Sequence, residues 1–410
     1  MKILFIHQNF PGQFKFLAPA LAKRGHTVHA FSLYESREDL GVKIHSYTIK
    51  RSSSKDIHPW VVDFETKVIR AEACFRAALD LKDSGFSPDL IIAHHGWGES
   101  LFLKDVWPKA KVGLFCEFFY NPSGQDVGFD PEFSSKDLAD IGRMRLKNIN
   151  NLMHFEFADA GISPTQWQAS TFPKSFQSKI TVVHEGIDTS ILLPKSNISM
   201  TLNGNIVLTK TSEVITFVNR NLEPYRGYHI FMRALPEVLK RRPNAKVLIV
   251  GGDGISYGKM HSSGQKWKDI FINEIRQNIT DEDWSRVYFL GRIPYQTFIS
   301  LLQLSSLHVY LTYPFVLSWS LLEAMSIGCP VVASNTKPLH EVINHNENGR
   351  LVDFFDFKGL ANEICNLLDD NISLQRLSKN ARSFVQANYD INNVCLPKQI
   401  DWVESLFTND

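Results

Sequence analysis

The sequence predicts two α/β domains of the doubly wound, Rossmann-like type, and three observations support this fold class. The chain has 410 residues, which is more than one hydrophobic core usually organises. Short β-rich apolar runs alternate with segments of helical length, as in parallel sheets that are covered on both faces. This alternation occurs twice, with an interruption near residue 200.

Each series contains five predicted strands. The first series is KILFI, HTVHAF, DLIIA, KVGLF and KITVV, and the second is EVITFV, AKVLIV, RVYFL, HVYL and PVVAS. The segment 192–210 between them carries Pro, Ser and an Asn203-Gly204 pair, which predicts a linker with a hairpin. We therefore expect a first domain over 1–195, a second over 206–388, and a C-terminal helix over 389–410 that packs back on the first.

The composition indicates which kinds of binding partner and which cellular compartment to expect. Lys+Arg 44 against Asp+Glu 43 give a net charge of +1, so nucleic acid is not expected as a partner. The five cysteines include no C-x-x-C pair, which favours a reducing cytoplasm. We expect no signal peptide and no membrane-spanning helix. The basic segment GRMRLK (142–147) leaves open a peripheral contact with a membrane, although such a run is more often a solvated helix face.

The turn NFPGQF follows the first predicted strand and opens a helix. Gly12 lets backbone N–H groups approach a ligand closely, and a helix N-terminus favours an anion. We therefore predict that Gly12 contacts a bound anionic group. The alternative is an ordinary βα turn, since such turns often contain glycine.

Two arginines follow the first strand of the second series. Arg220 ends that strand and Arg226 opens the next helix, so both guanidiniums are expected at one edge of the sheet. Such a pair can neutralise a pyrophosphate, including one that departs as a leaving group. The alternative is a pair of solvated arginines, one of them bonded to Glu223.

The segment WSLLEAMSIGCPVVAS predicts a helix that begins at Ser318, Trp319 and Ser320, whose N–H groups would face an anion. Glu323 lies one turn further along, where a carboxylate can accept hydrogen bonds from a ribose diol. The alternative is a surface glutamate, although its apolar neighbours indicate a partner.

The motifs NRNLEPYRG, HEGIDTS, LIVGGDG, FLGRIP and LLEAMSIGCPVVAS together resemble the family 4 retaining glycosyltransferases of the GT-B fold, in which two Rossmann-like domains face each other across a cleft. The resemblance implies that Arg220 and Arg226 hold the donor diphosphate, that Glu323 holds the ribose, and that Arg292 and Ile293 contact the nucleobase. We expect no metal ion, because the positive charge and the helix dipole already offset the charge of the leaving group, and no cofactor besides the nucleotide sugar. The further expected donor contacts are Gly252 in the loop LIVGGDG, Gly12 in the first turn, and the helix start at Ser318, Trp319 and Ser320.

One position departs from the family pattern. The family usually carries a second glutamate eight positions before Glu323, and this chain has Phe315 there. An aromatic ring cannot accept a hydrogen bond from a sugar hydroxyl as a carboxylate does. Phe315 therefore leaves open which sugar the donor carries and whether the chain is active.

Polar residues of the first domain follow two neighbouring predicted strands, where α/β sheets bind ligands. Glu117 and His95 are the candidate catalytic residues beside the two arginines, since a carboxylate can take a hydroxyl proton or stabilise positive charge. His94, Glu99 and Asp126 are the candidate acceptor contacts. For both histidines a structural role is an equal alternative.

The function implied by the resemblance is sugar transfer from a nucleotide sugar to a glycan, lipid-linked or small-molecule acceptor, in the synthesis of a glycan, polysaccharide or glycoconjugate. The alternatives are a sugar-nucleotide epimerase of the same fold and a non-catalytic nucleotide-sugar binding module. A dinucleotide oxidoreductase is disfavoured because Gly251, Gly252 and Gly254 lack the G-x-G-x-x-G spacing. Asp281 and Asp283 form a D-x-D string, which we interpret as a helix cap rather than a metal site.

Overall fold

The structure is a computed structural model that describes residues 1–34, 41–134 and 137–408. The chain divides into two compact units of similar size. The first comprises residues 1–186 and the C-terminal segment from Ile391, and the second comprises Ile187–Asp390. Each unit has its own parallel sheet and its own apolar core.

The first unit is built on a seven-stranded parallel sheet with the order β3-β2-β1-β4-β5-β6-β7. The strand order reverses between β1 and β4, because the chain first adds β2 and β3 on one side of β1 and then adds β4 to β7 on the other. Doubly wound sheets bind ligands at such a point. The strands are β1 (Lys2–Ile6), β2 (Thr27–Ser32), β3 (Lys43–Ser46), β4 (Leu90–Ala93), β5 (Lys111–Phe115), β6 (Ala160–Ser163) and β7 (Ile180–Val182). The helices are α1 (Leu17–Lys23), α2 (Val62–Asp83), α3 (Leu103–Val106), α4 (Ala139–Lys147), α5 (Ile149–Phe157), α6 (Gln166–Ser170) and α7 (Lys174–Gln177).

The central strand β1 shows why both faces of this sheet are covered. Ile3 and Phe5 point into one apolar cluster, while Leu4 and Ile6 point into another on the opposite face. All four side chains are fully buried. A strand buried on both faces reads as a continuous apolar run, as KILFI does.

The second unit begins with a hairpin and continues into a six-stranded parallel sheet with the order β12-β11-β10-β13-β14-β15. The hairpin strands are β8 (Ser199–Leu202) and β9 (Ile206–Thr209), and the sheet strands are β10 (Val214–Asn221), β11 (Lys246–Gly252), β12 (Val287–Gly291), β13 (Leu307–Tyr310), β14 (Val331–Ser334) and β15 (Arg350–Val352). The helices are α8 (Tyr228–Arg241), α9 (Trp267–Arg276), α10 (Asp281–Trp284), α11 (Tyr295–Leu304), α12 (Trp319–Ile327), α13 (Phe357–Asp369) and α14 (Asn371–Asn388).

The C-terminal segment returns to the first unit. A π-helical turn (Ile391–Cys395) leads into α15 (Leu396–Thr408), and Trp402 and Val403 join the apolar cluster around Phe5. Gly113 on β5 makes room for this helix, because a Cβ atom there would lie 2.7 Å from the Trp402 ring.

All ten predicted strands are present, and the sequence missed β3, β6 and β15, which are three or four residues long. The expected domain boundary at 195 and 206 differs from the observed division at Gly186 and Ile187. The predicted hairpin exists, with Asn203 and Gly204 at positive φ. It is part of the second unit rather than a linker, because Leu202 and Leu208 pack with Leu248 of its sheet. None of the helices in the described part of the chain combines the length and apolar character needed to cross a bilayer.

Candidate functional site

Each unit carries a pocket lined by residues at the carboxyl ends of its central strands. In the second unit the loops after β10 and β13 contribute, and in the first unit the loops after β4 and β5 contribute. In the second sheet, β10 and β13 flank the point where the strand order reverses, which is the usual ligand position in such sheets; in the first sheet that point lies between β1 and β4, so its pocket is beside it.

The pocket of the second unit has a volume of about 200 Å³ and brings together four predicted residues, Arg220, Arg226, Ser318 and Ser320. Arg220 lies near the end of β10, Arg226 follows that strand, and the two serines lie at the start of α12. Residues 98 positions apart, such as Arg220 and Ser318, therefore line one cavity.

Arg226 is buried and firmly held. Its Nη1 donates hydrogen bonds to Thr312 Oγ1 at 2.7 Å, to Val316 O at 3.2 Å and to Tyr310 Oη at 3.3 Å. The Tyr310 oxygen also accepts a hydrogen bond from Ser318 N at 3.1 Å. One hydroxyl therefore links the arginine to the residue that caps α12.

Arg220 differs from Arg226 in its surroundings. It is exposed and makes no hydrogen bond or ion pair with the residues that the structure describes. The alternative in which Glu223 forms a hydrogen bond with one of the arginines is wrong. The Glu223 carboxylate instead accepts hydrogen bonds from the backbone N–H groups of Ser256, Tyr257 and Gly258, at 3.0 to 3.2 Å. Its role is to fix the loop after β11, which places the Tyr257 ring 5.1 Å from the Arg226 guanidinium.

The start of α12 is capped in the usual way, because the Ser318 hydroxyl accepts a hydrogen bond from Ser320 N at 3.4 Å. Glu323 is 7% exposed and accepts a hydrogen bond of 2.7 Å from the Tyr295 hydroxyl. Burial and the nearby carboxylate raise the pKa of Tyr295, so it remains a donor. Glu323 is thus a partnered, buried carboxylate rather than a surface residue, and its contact with ribose stays a prediction.

Gly252 and Arg292 meet at the end of β11. A Cβ atom at Gly252 would lie 2.7 Å from Arg292 Nε, so the glycine is needed for this approach. Arg292 Nη2 donates to Asn221 Oδ1 at 3.2 Å, and the same oxygen accepts from Gly254 N at 3.2 Å. Asn221, which the sequence did not single out, therefore joins β10 to this loop. Ile293, next to Arg292, is partly buried against the core.

Phe315 fills its position with an apolar ring. It is 5% exposed and lies 5.1 Å, centroid to centroid, from each of Tyr225 and Tyr257. The Arg226 guanidinium is 5.8 Å from the Phe315 ring. The position that usually carries a carboxylate is therefore part of an aromatic cluster beside the buried arginine.

The pocket of the first unit has a volume of about 240 Å³ and contains three predicted residues, His94, His95 and Glu117. Lys67 and Lys147 also line it, and the sequence analysis did not propose either. Glu99 and Asp126 are not among its lining residues.

A chain of hydrogen bonds fixes Glu117. Asn9 N donates to His7 Nδ1 at 3.0 Å, so the ring proton is on Nε2, which donates to Gln13 Oε1 at 2.6 Å. Gln13 Nε2 in turn donates to Glu117 Oε1 at 3.2 Å. Burial lowers the pKa of His7 to about 3, which keeps the ring neutral as this pattern requires.

The carboxylate of Glu117 is also close to a histidine, because His94 Nε2 lies 3.6 Å from Glu117 Oε2. Burial alone would raise the pKa of Glu117, but His94, His7 and Gln13 favour the charged form and the pKa is lowered overall. Glu117 is therefore a carboxylate near neutral pH. His7 and Gln13, which the sequence reasoning missed, are the residues that orient it.

Gly12 belongs to this network. Its φ is +49°, and a Cβ atom there would lie 2.2 Å from the His7 ring. A glycine is therefore required here by the packing against His7 alone. The predicted contact of Gly12 with an anionic ligand stays a prediction.

His94 and His95 are each 2% exposed. The His94 ring stacks on Trp97 at 3.8 Å, and neither of its nitrogens makes a hydrogen bond within residues 1–34, 41–134 and 137–408. His95 Nδ1 bonds to Phe115 O at 3.2 Å, while its Nε2 has no hydrogen-bond partner there. Burial holds the pKa of His95 well below its usual value, so Nε2 offers a lone pair.

Glu99 and Asp126 are buried outside the lining of this pocket. Glu99 is 1% exposed, accepts a hydrogen bond from the Tyr47 hydroxyl at 3.1 Å and lies 3.9 Å from Arg70. Burial raises its pKa. Asp126 is buried as well. This geometry groups neither residue with Glu117, and an acceptor contact through them stays a prediction.

The D-x-D string lies at a short helix, as interpreted. Thr280 caps α10, and Asp281 and Asp283 occupy its first turn, where they pair with Arg276 and Arg286.

Two family models match the chain. The model described as "Glycosyl transferase family 4 group" matches residues 24–192, and the model described as "Glycosyl transferases group 1" matches residues 203–384. The two matches follow the two units closely.

Two curated relatives illustrate the similarity in sequence. Spore coat protein SA of Bacillus subtilis is 27% identical over 235 residues, which is 54% of this chain and 57% of the relative. D-inositol 3-phosphate glycosyltransferase of Corynebacterium efficiens is 26% identical over 204 residues, 47% of this chain and 45% of the relative. The chain thus spans about half the length of these relatives.

Solved structures share the fold along the whole chain. Sucrose-phosphate synthase from Thermosynechococcus elongatus has a TM-score of 0.76 at 19% identity and covers 100% of both chains. Anabaena HepE in complex with UDP and glucose has a TM-score of 0.66 at 18% identity, with 99% of this chain and 100% of that chain covered. At such identities the likeness concerns the fold.

Proposed function

We propose, since this chain belongs to the family 4 glycosyltransferases of the GT-B fold, that it moves a sugar from a nucleoside diphosphate donor to an acceptor hydroxyl. The observation that carries the proposal is the second-unit pocket, where Arg220 and Arg226 meet the N-terminus of α12. Retention of configuration follows from the family and is part of the proposal.

The donor diphosphate is assigned to this pocket on electrostatic grounds. Cleavage of the bond between the anomeric carbon and the diphosphate oxygen leaves negative charge on the leaving group. The Arg226 guanidinium, which its hydrogen bonds hold in place, the exposed Arg220 guanidinium and the N-terminus of α12 supply positive charge for that group. The proposal needs no metal ion for this purpose, so transfer is expected to continue in EDTA.

The remainder of the donor is assigned to neighbouring residues of the same unit. Glu323 would accept a ribose hydroxyl, while Arg292 and Ile293 would contact the base. The base itself is open, because HepE was solved with UDP and UDP-glucose, whereas a mannosyltransferase relative from Corynebacterium glutamicum is described as GDP-mannose-dependent.

The acceptor is assigned to the first unit. Its hydroxyl oxygen forms the new bond to the anomeric carbon, and we assign its proton to the Glu117 carboxylate, which His7 and Gln13 orient. His94 and His95 offer polar atoms to other acceptor hydroxyls. We also assign the enzyme to the cytoplasm, since none of its five buried cysteines forms a disulfide bond, and we leave contact with the membrane as an option for the basic segment 142–147.

The sharpest test uses Arg220, because its exposure means that its removal should not disturb folding. Arg220→Ala should weaken binding of the preferred diphosphate by about tenfold to a hundredfold, since one charge-assisted interaction is lost. Affinities for UDP, GDP and ADP would be measured by calorimetry, and transfer by release of the diphosphate.

Lys240→Ala is the matched control, because Lys240 is an exposed cation near the end of α8, the helix that follows Arg226. It should leave both readouts unchanged. Equal affinities for Arg220→Ala and the wild-type chain would remove the donor site from this pocket. Donor binding without transfer to any acceptor would instead favour a nucleotide-sugar binding module.

A further inference from the structure

The first-unit pocket has a cationic part that the proposed transfer does not use. Lys67 and Lys147 line it together with Asp63. Lys67 is 9% exposed, pairs with Asp63 at 2.8 Å and donates to Lys147 O at 3.0 Å. The charge of Lys67 is therefore already compensated within the protein.

Lys147 is not compensated in this way. It is the last residue of α4, its side chain is partly buried, and its Nζ lies 3.6 Å from the centre of the Tyr120 ring. No hydrogen-bond acceptor or ion-pair partner of Nζ occurs among the residues with described positions. The acids that influence it are Asp63, which is engaged by Lys67, and Asp126. Burial lowers the pKa of Lys147, as expected for an ammonium without a close counter-ion.

Several polar atoms around the same cavity also lack partners. Nδ1 of His94 and Nε2 of His95 make no hydrogen bond in the described structure, although each residue is 2% exposed. Nε2 of His94 also makes no hydrogen bond, but it faces the Glu117 carboxylate at 3.6 Å. Buried polar atoms normally have partners, so their presence in a pocket wall indicates that a polar ligand completes them. Glu117, the proposed proton acceptor, lines this pocket too.

We infer that the acceptor carries an anionic oxygen group, a phosphate or a carboxylate, which Lys147 binds while the hydroxyl that receives the sugar lies beside Glu117. The assignment of the hydroxyl rests on the proposed function, whereas binding of the anion does not. A phosphate or carboxylate would supply the counter-ion that Lys147 lacks, and charge-assisted hydrogen bonds of this kind are among the strongest in proteins. The inference excludes a neutral molecule as the preferred acceptor.

The first experiment measures anion binding alone. Inorganic phosphate is titrated calorimetrically, at constant ionic strength, into the full chain carrying Arg220→Ala, so that binding in the second unit is weakened. Lys147→Met should reduce the remaining affinity by about tenfold or more, and Lys147→Arg should keep it. Arg145→Met is the matched control, since Arg145 is an exposed cation on the same helix.

The second experiment measures acceptor choice. Glucose 6-phosphate is compared with glucose, and gluconate with sorbitol, so that the two arms separate phosphate from carboxylate. The anionic member of at least one pair should show a kcat/KM about tenfold higher, and Lys147→Met should abolish that preference while Lys147→Arg preserves it.

Two results would overturn the inference: phosphate affinity that Lys147→Met leaves unchanged, or transfer that shows no preference for the anionic member of either pair. Failure of the proposed function looks different. It would show as loss of nucleotide binding or of all transfer, while the phosphate titration would still report on Lys147.

Discussion

The second-unit pocket and the first-unit pocket both lie at the carboxyl ends of strands in parallel sheets, yet their lining residues differ in chemistry. Arginines and a helix N-terminus dominate the former, whereas a carboxylate, histidines and lysines line the latter. Guanidiniums do not titrate near neutral pH, so the second unit offers fixed positive charge. The first unit offers groups that can exchange protons. This division suits a reaction in which one partner leaves with charge and the other loses a proton.

The two pockets also differ in how their main side chain is held. Arg226 is fixed by acceptors from one continuous stretch, residues 310–316, which leads into α12. Glu117 is fixed through Gln13, 104 residues earlier in the chain, and through His7 behind it. The first arrangement is local to two loops, while the second depends on several separate strands. The predictions below test whether these two arrangements fail independently.

The largest effect is expected for Arg226→Ala. Loss of a fixed donor to developing charge typically costs about 100- to 1000-fold in rate, and the leaving group here would lose such a donor. Tyr310, Thr312 and Val316 would also lose the donor that Arg226 provides, so the free energy of unfolding should fall by about 1 to 3 kcal/mol. Both quantities are measurable, as kcat/KM and by denaturant titration.

Two further variants separate the role of Arg226 in binding from its role in packing. Arg226→Lys keeps the charge but not the forked geometry, and should lie between the wild type and alanine. Arg241→Ala removes an arginine of α8 that bonds to Asn362 and Asn366 outside the pocket, and should leave transfer intact. If Arg226→Ala transferred sugar at the wild-type rate, the contrast between the two pockets would lose its electrostatic basis.

An intermediate effect is expected for Gly12→Ala, which acts on the other pocket. The new Cβ atom would lie 2.2 Å from the His7 ring, so His7 must move and Gln13 loses its partner. We expect kcat/KM to fall by about 10- to 100-fold, in the range of a misplaced catalytic group. The affinity for the nucleoside diphosphate should not change, because the second unit is untouched.

Gly25→Ala is the control for backbone strain. Gly25 has a φ of +88° and nothing within 4 Å of the position of a Cβ atom, so alanine there costs only about 1 kcal/mol of conformational strain. Transfer should be normal in this variant. A large loss of nucleotide affinity in Gly12→Ala would indicate that Gly12 contacts the donor, as the sequence predicted, and that the two pockets are not independent.

The sequence predicted the second-unit pocket better than the first-unit pocket, for a physical reason. Arg220 and Arg226 are six residues apart, and Ser318, Ser320 and Glu323 fall within a single turn and helix start. Local periodicity is enough to place such residues at a sheet edge. Asn221 was missed because its role depends on three segments that meet only in the folded unit.

The first-unit network could not be predicted in the same way. The end of β4 located His94 and His95, but the link from His7 to Glu117 depends on how the turn at Gly12 directs Gln13. Lys147 illustrates the same limit: in the segment 142–147 it looked like one more solvated cation, yet Arg145 is exposed and Lys147 lines the pocket. A helix pattern does not show which basic side chain faces a cavity formed by other elements.

The smallest expected effect, and the one most specific to the first-unit pocket, is a change in pH dependence in Gln13→Leu. Gln13 helps to lower the pKa of Glu117, so its removal should raise that pKa. If Glu117 acts as a carboxylate, kcat/KM falls as the pH drops through its pKa, and this acid limb should move to higher pH in the variant. At alkaline pH Glu117 is ionised in both proteins, so kcat/KM of the variant should be only a few-fold lower, because Glu117 is less well oriented.

Glu117→Gln should abolish the acid limb. Gln177→Leu, which removes a glutamine bonded to Ser170 and Phe172 outside the pocket, should leave the acid limb in place. An acid limb that stays at the same pH in Gln13→Leu would mean that Glu117 is not the titrating group, and proton transfer would have to be assigned outside this network.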